Sequence, residues 1–282
     1  MRLNNSRESR NIEDRRGQRM RIGGRGKIGL GTIVLALVAV YFGVDPNVVL
    51  QHAVGPADDV PSTQAPADTP QTRFVSKVLA DTEDAWGAVF QQKNWGAYQE
   101  PRLVLFNGAT PTACGTGQSA MGPFYCPGDS KVYLDLSFFQ QMAQELNSPG
   151  DFAQAYVIAH EVAHHVQHLL GVTDKVDQAR RGINSAQANQ LSVRVELQAD
   201  CLAGVWANHS DTQRGTLEPG DIEEALNAAS AIGDDTLQKR SQGHIVPDSF
   251  THGTSAQRVR WFSRGFQSGD PAQCDTFGAG SL

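Results

Sequence analysis

Two histidines and a glutamate stand at a spacing that suits metal-assisted chemistry. His160, Glu161 and His164 occur in the run AYVIAHEVAHHVQHLL, in the order of the HExxH pattern. Residues four apart lie on one face of an α-helix, so both imidazoles can reach one ion. Glu161 then lies beside that ion, where it can take a proton from a zinc-activated water. The run predicts one zinc ion per chain; the alternative is a surface helix with scattered histidines.

A catalytic zinc site with two histidines needs a third protein ligand and keeps one position for water. Glu196 and Asp200 stand four residues apart in VRVELQAD, so they share one face of a predicted helix. We expect Glu196 to bind zinc and Asp200 to accept a hydrogen bond from the other ring nitrogen of a ligand histidine. Two solvated acids on an amphipathic helix are the alternative. His209 is the reserve ligand, although it lies at the predicted helix end.

Other residues around the motif have different expected roles. The longer pattern HExxHxxGxxH is excluded because Gln167 and Leu170 occupy its glycine and last histidine positions. His168 lies one further turn along the ligand face, too far along the axis to share the ion easily, so we expect it at the rim. His165 points well away from that face and is expected to pack or to face solvent.

Hydrophobic periodicity and turn residues predict one α+β domain over residues 73–282. The motif helix is predicted over 151–170, with Asp151 as N-cap and Gly171 as its left-handed stop. The other predicted elements are an amphipathic helix over 73–92, strands over 102–106 and 131–136 separated by a loop rich in glycine and proline, and helices over 192–207 and 221–232.

An apolar run ahead of this domain is long enough to enter a membrane. Residues 28–44, IGLGTIVLALVAVYFGV, carry no charge and precede Asp45-Pro46. That length is near the short end for a bilayer-spanning helix. A cleaved signal peptide is the alternative, but the run does not end in a small-residue cleavage site. We therefore predict one uncleaved transmembrane helix at 28–44, in contact with the lipid bilayer.

The charges that flank the run predict its orientation. Residues 1–27 carry nine Lys or Arg and three Asp or Glu, whereas acidic residues follow the run. Positive residues stay on the cytoplasmic side, so residues 1–27 are a predicted basic cytoplasmic tail of an inner-membrane, single-pass protein. The domain would then be periplasmic or extracellular. Residues 45–72, rich in Pro, Ala, Asp, Thr and Gln, predict a flexible linker.

The part of the chain beyond the tail is acidic. The tail contributes +6 to a total of −6, so the remainder carries about −12. Such a surface has no electrostatic reason to bind nucleic acid, and we expect no nucleic-acid partner. A nucleic-acid-binding arm is the alternative interpretation of the basic tail. Its position directly before an apolar run is explained more simply by membrane orientation.

All four cysteines follow the apolar run, which predicts two disulfides in an oxidising compartment. Cys114 with Cys126 would close a short loop, and Cys201 with Cys274 would tie the C-terminal region to a helix. Other pairings stay open. A cysteine-based zinc site is disfavoured because the sequence has no CxxC spacing.

HExxH followed by ExxxD resembles the gluzincin metallopeptidases, and longer stretches are similar to the neutral zinc metallopeptidases of bacteria. These stretches are MGPFYCP (121–127), VYLDLSFF (132–139), GDFAQAYVIAHEVAHHVQ (150–167), SVRVELQADCLAGVWA (192–207), GDIEEAL (220–226) and DSFTHGTSAQRVRWF (248–262). The resemblance covers essentially all of the predicted domain. It implies a zincin-like fold, a small sheet with an edge strand beside an active-site helix, with His160, His164 and Glu196 as ligands and Glu161 as base.

One further segment adds a catalytic candidate. Residues 251–258, THGTSAQR, resemble the S-T-H-P-x-x-x-x-R segment of membrane metallopeptidases of the CaaX-protease type, with Gly253 in place of proline. By that resemblance His252 could hydrogen-bond the oxyanion that develops when a carbonyl is attacked. The alternative is a structural loop that Arg258 anchors onto a carboxylate.

The sequence therefore predicts a membrane-anchored zinc metallopeptidase that hydrolyses peptide bonds. The strand at 131–136 precedes the motif helix, as the substrate-binding edge strand does in zincins, so an extended peptide or protein substrate is expected to pair with it. The alternative is a zinc-stabilised, non-catalytic binding or assembly protein of the cell envelope. Glu161 favours the enzyme, because a structural site needs no base. A cell-wall amide hydrolase is a third interpretation, although no glycan-binding module is recognisable.

Overall fold

The computed structural model of the protein describes residues 1–4, 6–17 and 68–282. The apolar run at 28–44 and most of the predicted linker lie outside these residues. Across the described part of the chain, no helix combines the length and the apolar character needed to cross a bilayer. The single transmembrane helix stays a prediction from the sequence.

Within the described residues the chain forms eight α-helices and two small sheets, which confirms the mixed α+β class. The helices are α1 (Pro70–Lys93), α2 (Ser137–Gln144), α3 (Asp151–Leu169), α4 (Val172–Ala179), α5 (Ser185–Arg214), α6 (Asp221–Ala231), α7 (Asp234–Gln242) and α8 (Ser255–Ser268). The strands are β1 (Ile12–Asp14), β2 (Arg102–Phe106), β3 (Ala109–Thr112), β4 (Gly115–Gln118), β5 (Phe124–Cys126) and β6 (Lys131–Asp135).

The main sheet has the order β1-β2-β6-β5, with β1, β2 and β6 parallel and β5 antiparallel to β6. Side chains alternate across it, as strand geometry requires. Leu103 and Leu105 of β2 face the main core with the helices, whereas Val104 and Phe106 face a smaller core on the other side. Both strands predicted from the sequence, β2 and β6, are therefore present.

The place of β6 corrects one expectation. The strand at 131–136 was predicted to be the edge that receives substrate, but β6 lies between β2 and β5 and its backbone is paired on both sides. The edge strand on that side is β5, which is three residues long. Because β5 is so short and is embedded in a loop rich in glycine and proline, its sequence carries no strand periodicity.

Residues 1–17 also differ from the predicted domain boundaries. They were set apart as part of a basic tail, yet β1 pairs in parallel with β2 and Leu3 is buried against the core. The sequence did not predict this strand because Asn11, Glu13 and Asp14 are polar or charged and only Ile12 is apolar. That composition favoured a tail. The described N-terminal residues belong to the same folded body as the helices.

The first helix begins slightly earlier than the sequence predicts. Thr69 caps α1, since the Thr72 N–H donates to Thr69 Oγ1 (3.2 Å) and the Thr69 N–H donates to Thr72 Oγ1 (2.9 Å). Pro70 occupies the first helical position, where its missing N–H costs nothing. The predicted linker therefore ends at Thr69, three residues before its expected boundary of 72.

Helices α5 and α8 pack in close contact. This contact sets the position, relative to α5, of the segment that leads into α8. A Cβ atom on Gly265 of α8 would lie 1.8 Å from the Cys201 carbonyl oxygen of α5, so only glycine allows this approach. The Cys201–Cys274 disulfide lies at the same contact. These constraints hold His252 and Arg258 beside the part of α5 that carries Glu196 and Asp200.

Both predicted disulfides are confirmed. Cys114 is bonded to Cys126 and Cys201 to Cys274. The first bond joins the edge strand β5 to the turn between β3 and β4. The second closes a sequence separation of 73 residues, between α5 and the 3-10 turn at Pro271–Cys274.

Candidate metal centre

The motif helix α3 is buried along most of its length. It runs from Asp151 to Leu169, one residue short of the predicted end. Asp151 was predicted to be the N-cap, but Gly150 occupies that position and Asp151 lies in the first turn. The Phe152 N–H donates instead to Glu224 Oε2 of α6 at 3.0 Å, so another helix supplies the cap. Gly171 has the expected left-handed conformation, with φ 70°.

Three of the predicted site residues converge. Glu196 Oε2 of α5 lies 3.1 Å from His160 Nε2 and 3.6 Å from His164 Nε2 of α3. The candidate ligand atoms all lie within 4.8 Å of one another. Tetrahedral zinc with donors at about 2.1 Å separates its ligand atoms by ~3.4 Å. Two imidazoles and one carboxylate are also the donor set of a catalytic His₂Glu zinc site. The residues present therefore fit zinc.

The ring nitrogens away from this cluster are held by other side chains. His160 Nδ1 lies 2.9 Å from Asp200 Oδ1, the contact predicted for Asp200, and His164 Nδ1 lies 2.8 Å from Gln167 Oε1. Each Nδ1–H donates to an oxygen, which fixes the ring and leaves Nε2 for a metal ion. Gln167 was not predicted to be the partner of His164, although its place three residues along the same helix is a local signal.

Asp200 is the centre of a buried polar network. Besides His160, it accepts hydrogen bonds from Tyr156 Oη (2.6 Å) and from Arg258 Nε and Nη2 (2.8 and 2.9 Å). Asp200, Tyr156 and Arg258 are all buried, with at most 2% of Arg258 exposed. Arg258 therefore anchors its segment onto a carboxylate, as one interpretation of residues 251–258 expected.

Electrostatics in this network favour positive charge at the metal site. Burial raises the pKa of Asp200, but Arg258 and His160 outweigh it and bring that pKa down to about 2. Burial lowers the pKa of His160, yet Asp200 and Glu196 raise it overall to about 10. The pKa of Glu196 lies well below its usual range because the two histidines outweigh the effect of burial. Both carboxylates are thus held ionised next to the ring nitrogens.

Glu161 lines a cavity of about 590 Å³ together with His160, His164 and Glu196. Its side chain is buried, and burial raises its pKa against the opposing effect of the two histidines. A carboxylate with a raised pKa holds a proton more readily once it has taken one. The position and the environment of Glu161 both suit proton transfer inside the cavity.

His252 lies at the same cavity, and its side chain is half exposed. His252 Nδ1 lies 3.2 Å from Asp234 Oδ1. Asp234 Oδ2 also accepts the backbone N–H groups of Thr251, His252 and Gly253, at 2.7, 2.6 and 3.0 Å. Sequence reasoning missed Asp234; its only signal was a Gly-Asp-Asp helix start, 18 residues before His252. Gly253 has φ +91°, which a proline cannot adopt, so the departure from the CaaX-type pattern has a backbone cause.

Three other histidines considered from the sequence have structural contacts. His165 is buried, donates from Nε2 to the Gln99 carbonyl (2.6 Å), and so accepts at Nδ1 from Tyr125 Oη of β5 (3.0 Å). His168 Nδ1 lies 3.3 Å from Thr173 Oγ1, outside the ligand cluster. His209 Nε2 donates to the Gly269 carbonyl at 2.8 Å, so the reserve ligand does not join the site.

A second group of carboxylates in the described residues is close enough to hold a cation. It consists of Asp151, Asp221 and Glu224, without a histidine. The Met1 ammonium group lies 3.0 Å from Asp151 and 3.4 Å from Asp221, so these acids already face a positive charge. The cluster of two histidines and Glu196 is therefore the stronger candidate for a metal site.

The family described as "Putative neutral zinc metallopeptidase" matches residues 1–277 of the chain. The chain belongs to this family. It is 54% identical over 288 residues to the uncharacterized protein YpfJ of Escherichia coli K12, covering 99% of both chains. It is 42% identical over 261 residues to the uncharacterized protein Rv2575 of Mycobacterium tuberculosis H37Rv, covering 86% of each. No solved structure matches the chain. The family match confirms the resemblance found in the sequence, and the family description implies zinc.

Proposed function

We propose that this chain is a zinc-dependent peptidase that hydrolyses peptide bonds with Glu161 as the general base. The observation that carries the proposal is the convergence of His160, His164 and Glu196 in the cavity that Glu161 also lines. Zinc held by those three residues would act as a Lewis acid, lowering the pKa of water and polarising the scissile carbonyl.

The chain's own residues supply the remaining steps. Glu161 takes a proton from the attacking water and returns it to the leaving amine. His252 stabilises the oxyanion of the tetrahedral intermediate as an imidazolium, because its hydrogen bond to Asp234 raises its pKa. Its Nδ1–H faces Asp234, and its Nε2–H is left to donate to the substrate oxygen. Asp200 and Gln167 keep the two ligand imidazoles in one tautomer and orientation.

The substrate is a peptide bound in extended form along β5. In the described sheet order, β5 ends the sheet on the side of the cavity, and Phe124 and Tyr125 line that cavity. An edge strand offers unpaired backbone groups to an extended chain. The cavity wall also carries apolar side chains that suit an apolar substrate residue, namely Phe138, Val157, Val176 and Leu237.

Metal removal tests the proposal directly. Treating the purified full-length chain with a chelator should abolish cleavage of an unbiased peptide library, and one equivalent of zinc should restore it. Glu196→Gln removes one anionic ligand, so zinc affinity should fall at least about tenfold. Metal content by mass spectrometry and library cleavage are the two measurements. Stoichiometric zinc without any cleavage would instead favour the non-catalytic binding protein.

Removal of the His252 imidazole should slow turnover and leave zinc content unchanged. Loss of one oxyanion donor lowers kcat by about 10²–10³. His244→Ala is the matched control, since His244 is exposed and hydrogen-bonds only locally to Gln242. Asp234→Asn should give a smaller loss, because the ring remains but loses its ionic partner. A His252→Ala enzyme with unchanged kcat/KM and full zinc would assign this segment a structural role alone.

A further inference from the structure

The N-terminal arm, residues 1–4 and 6–17, completes the main sheet. The Leu103 N–H donates to the Asn11 carbonyl (2.9 Å), and the Arg15 N–H donates to the Leu105 carbonyl (2.7 Å). Leu103 and Leu105 are both fully buried. Without the arm, a strand of buried apolar residues would be left at the edge of the sheet, an arrangement that folded proteins avoid.

A carboxylate on α1 binds three residues of the arm. Glu83 is 3% exposed. Its carboxylate accepts from Ser9 Oγ at 2.5 Å and from Asn11 Nδ2 at 2.9 Å, and Arg7 Nη2 lies 2.8 Å from its Oε2. A buried carboxylate is strongly unfavourable unless charged or polar donors surround it. The arm supplies these donors, so Glu83 is a binding site for this segment of the chain.

Two arginines whose charge predicted a cytoplasmic tail form ion pairs within the folded part of the chain. Arg7 pairs with Asp84 of α1 at 2.7 Å. Arg15 pairs with Glu13 at 2.7 Å, and Glu13 pairs in turn with Lys131 of β6 at 2.9 Å. These charges therefore have a structural role besides any effect on membrane orientation.

We propose that the arm is a permanent strand of the metallopeptidase domain, and that arm and domain lie on the same side of any membrane the chain contacts. Gly17 and Asp68 bound the intervening segment, and both belong to described parts that pack together. An arm in the cytoplasm could not make these contacts with an exported domain. The family match begins at residue 1, so it includes the arm.

Cysteine labelling of the full-length chain tests the shared side. All four native cysteines are in disulfides, so the unaltered chain serves as the background control. Arg10→Cys on the arm and Gln92→Cys on α1 each place a thiol at an exposed position. A membrane-impermeant maleimide is added to cells before and after permeabilisation. Both variants should react alike in each condition; labelling of one with protection of the other in intact cells would overturn the proposal.

Limited proteolysis tests whether the arm is held. Glu83→Lys places a second cation beside Arg7, so trypsin should cut after Arg10 at least about tenfold faster than in the unaltered chain, as cleavage follows the population of the open form. Gln92→Lys on the same helix is the matched control and should leave that rate unchanged. An unchanged rate in Glu83→Lys would contradict the proposal. If Glu83→Lys does not fold, Arg7→Glu makes the same test from the arm, with the same expected increase.

Discussion

Glu161→Gln should abolish peptide cleavage while the chain still binds one zinc ion. The amide has nearly the same size as the carboxylate but cannot accept a proton from water at neutral pH. General-base catalysis typically contributes about 10²–10⁴ to the rate, and we expect a loss at the upper end of this range. Because Glu161 does not belong to the ligand cluster, zinc content should not change. Turnover of an optimised library peptide and zinc stoichiometry are measured on the same preparation.

The control is the same Glu-to-Gln change at a position away from the cavity. Glu223 lies exposed on α6, so Glu223→Gln removes an equal charge without touching the cavity. It should retain full turnover. Full activity in Glu161→Gln, with zinc bound, would show that another group accepts the proton and that the proposed role of Glu161 is wrong.

Arg258→Met should destabilise the protein more than any change at the cavity surface. The substitution removes the guanidinium that contacts both oxygens of Asp200 and leaves a buried carboxylate without its cationic partner. Breaking a buried ion pair in this way costs about 3–5 kcal/mol of the free energy of unfolding. Urea unfolding of both proteins at neutral pH measures the difference. The matched control, Arg260→Met, alters an exposed arginine two residues away and should change stability by less than about 0.5 kcal/mol.

The effect of Arg258 should depend on pH in a defined direction. The pKa of Asp200 falls from its ordinary 3.8 to about 2 in the folded chain, so its ionised form stabilises the fold above the ordinary pKa. This contribution is lost as the pH drops through about 2. The stability difference between the unaltered chain and Arg258→Met should therefore narrow from about pH 4 downward. A difference that is constant across this range would mean that packing of the arginine, not its charge, stabilises the fold.

The features that the sequence predicted are those that depend on local spacing. The shared helix face of His160 and His164, with Glu161 beside it, follows from the geometry of one helix. The shared face of Glu196 and Asp200 follows in the same way from the geometry of another. The strands at 102–106 and 131–135 are also short runs of mostly apolar and aromatic residues, a signal that each segment displays by itself. Such signals need no knowledge of which elements become neighbours.

The features that the sequence did not predict depend on contacts between distant segments. Strand β1 is recognisable only beside β2, because Ile12–Asp14 is short and mostly acidic. The edge position of β5 depends on the order of strands in the sheet. Asp234 contacts His252 only because α7 and α8 flank one segment. In each case the decisive interaction joins residues whose separation along the chain carries no periodic signal.

The shared use of Asp200 has a consequence for how relatives of this protein can diverge. One carboxylate orients a ligand imidazole and also neutralises the buried Arg258 and binds Tyr156. A descendant could change Glu161, the proposed base, and keep an intact fold. Loss of Asp200 would damage the core as well, so relatives without Glu161 are expected to retain the network around Asp200.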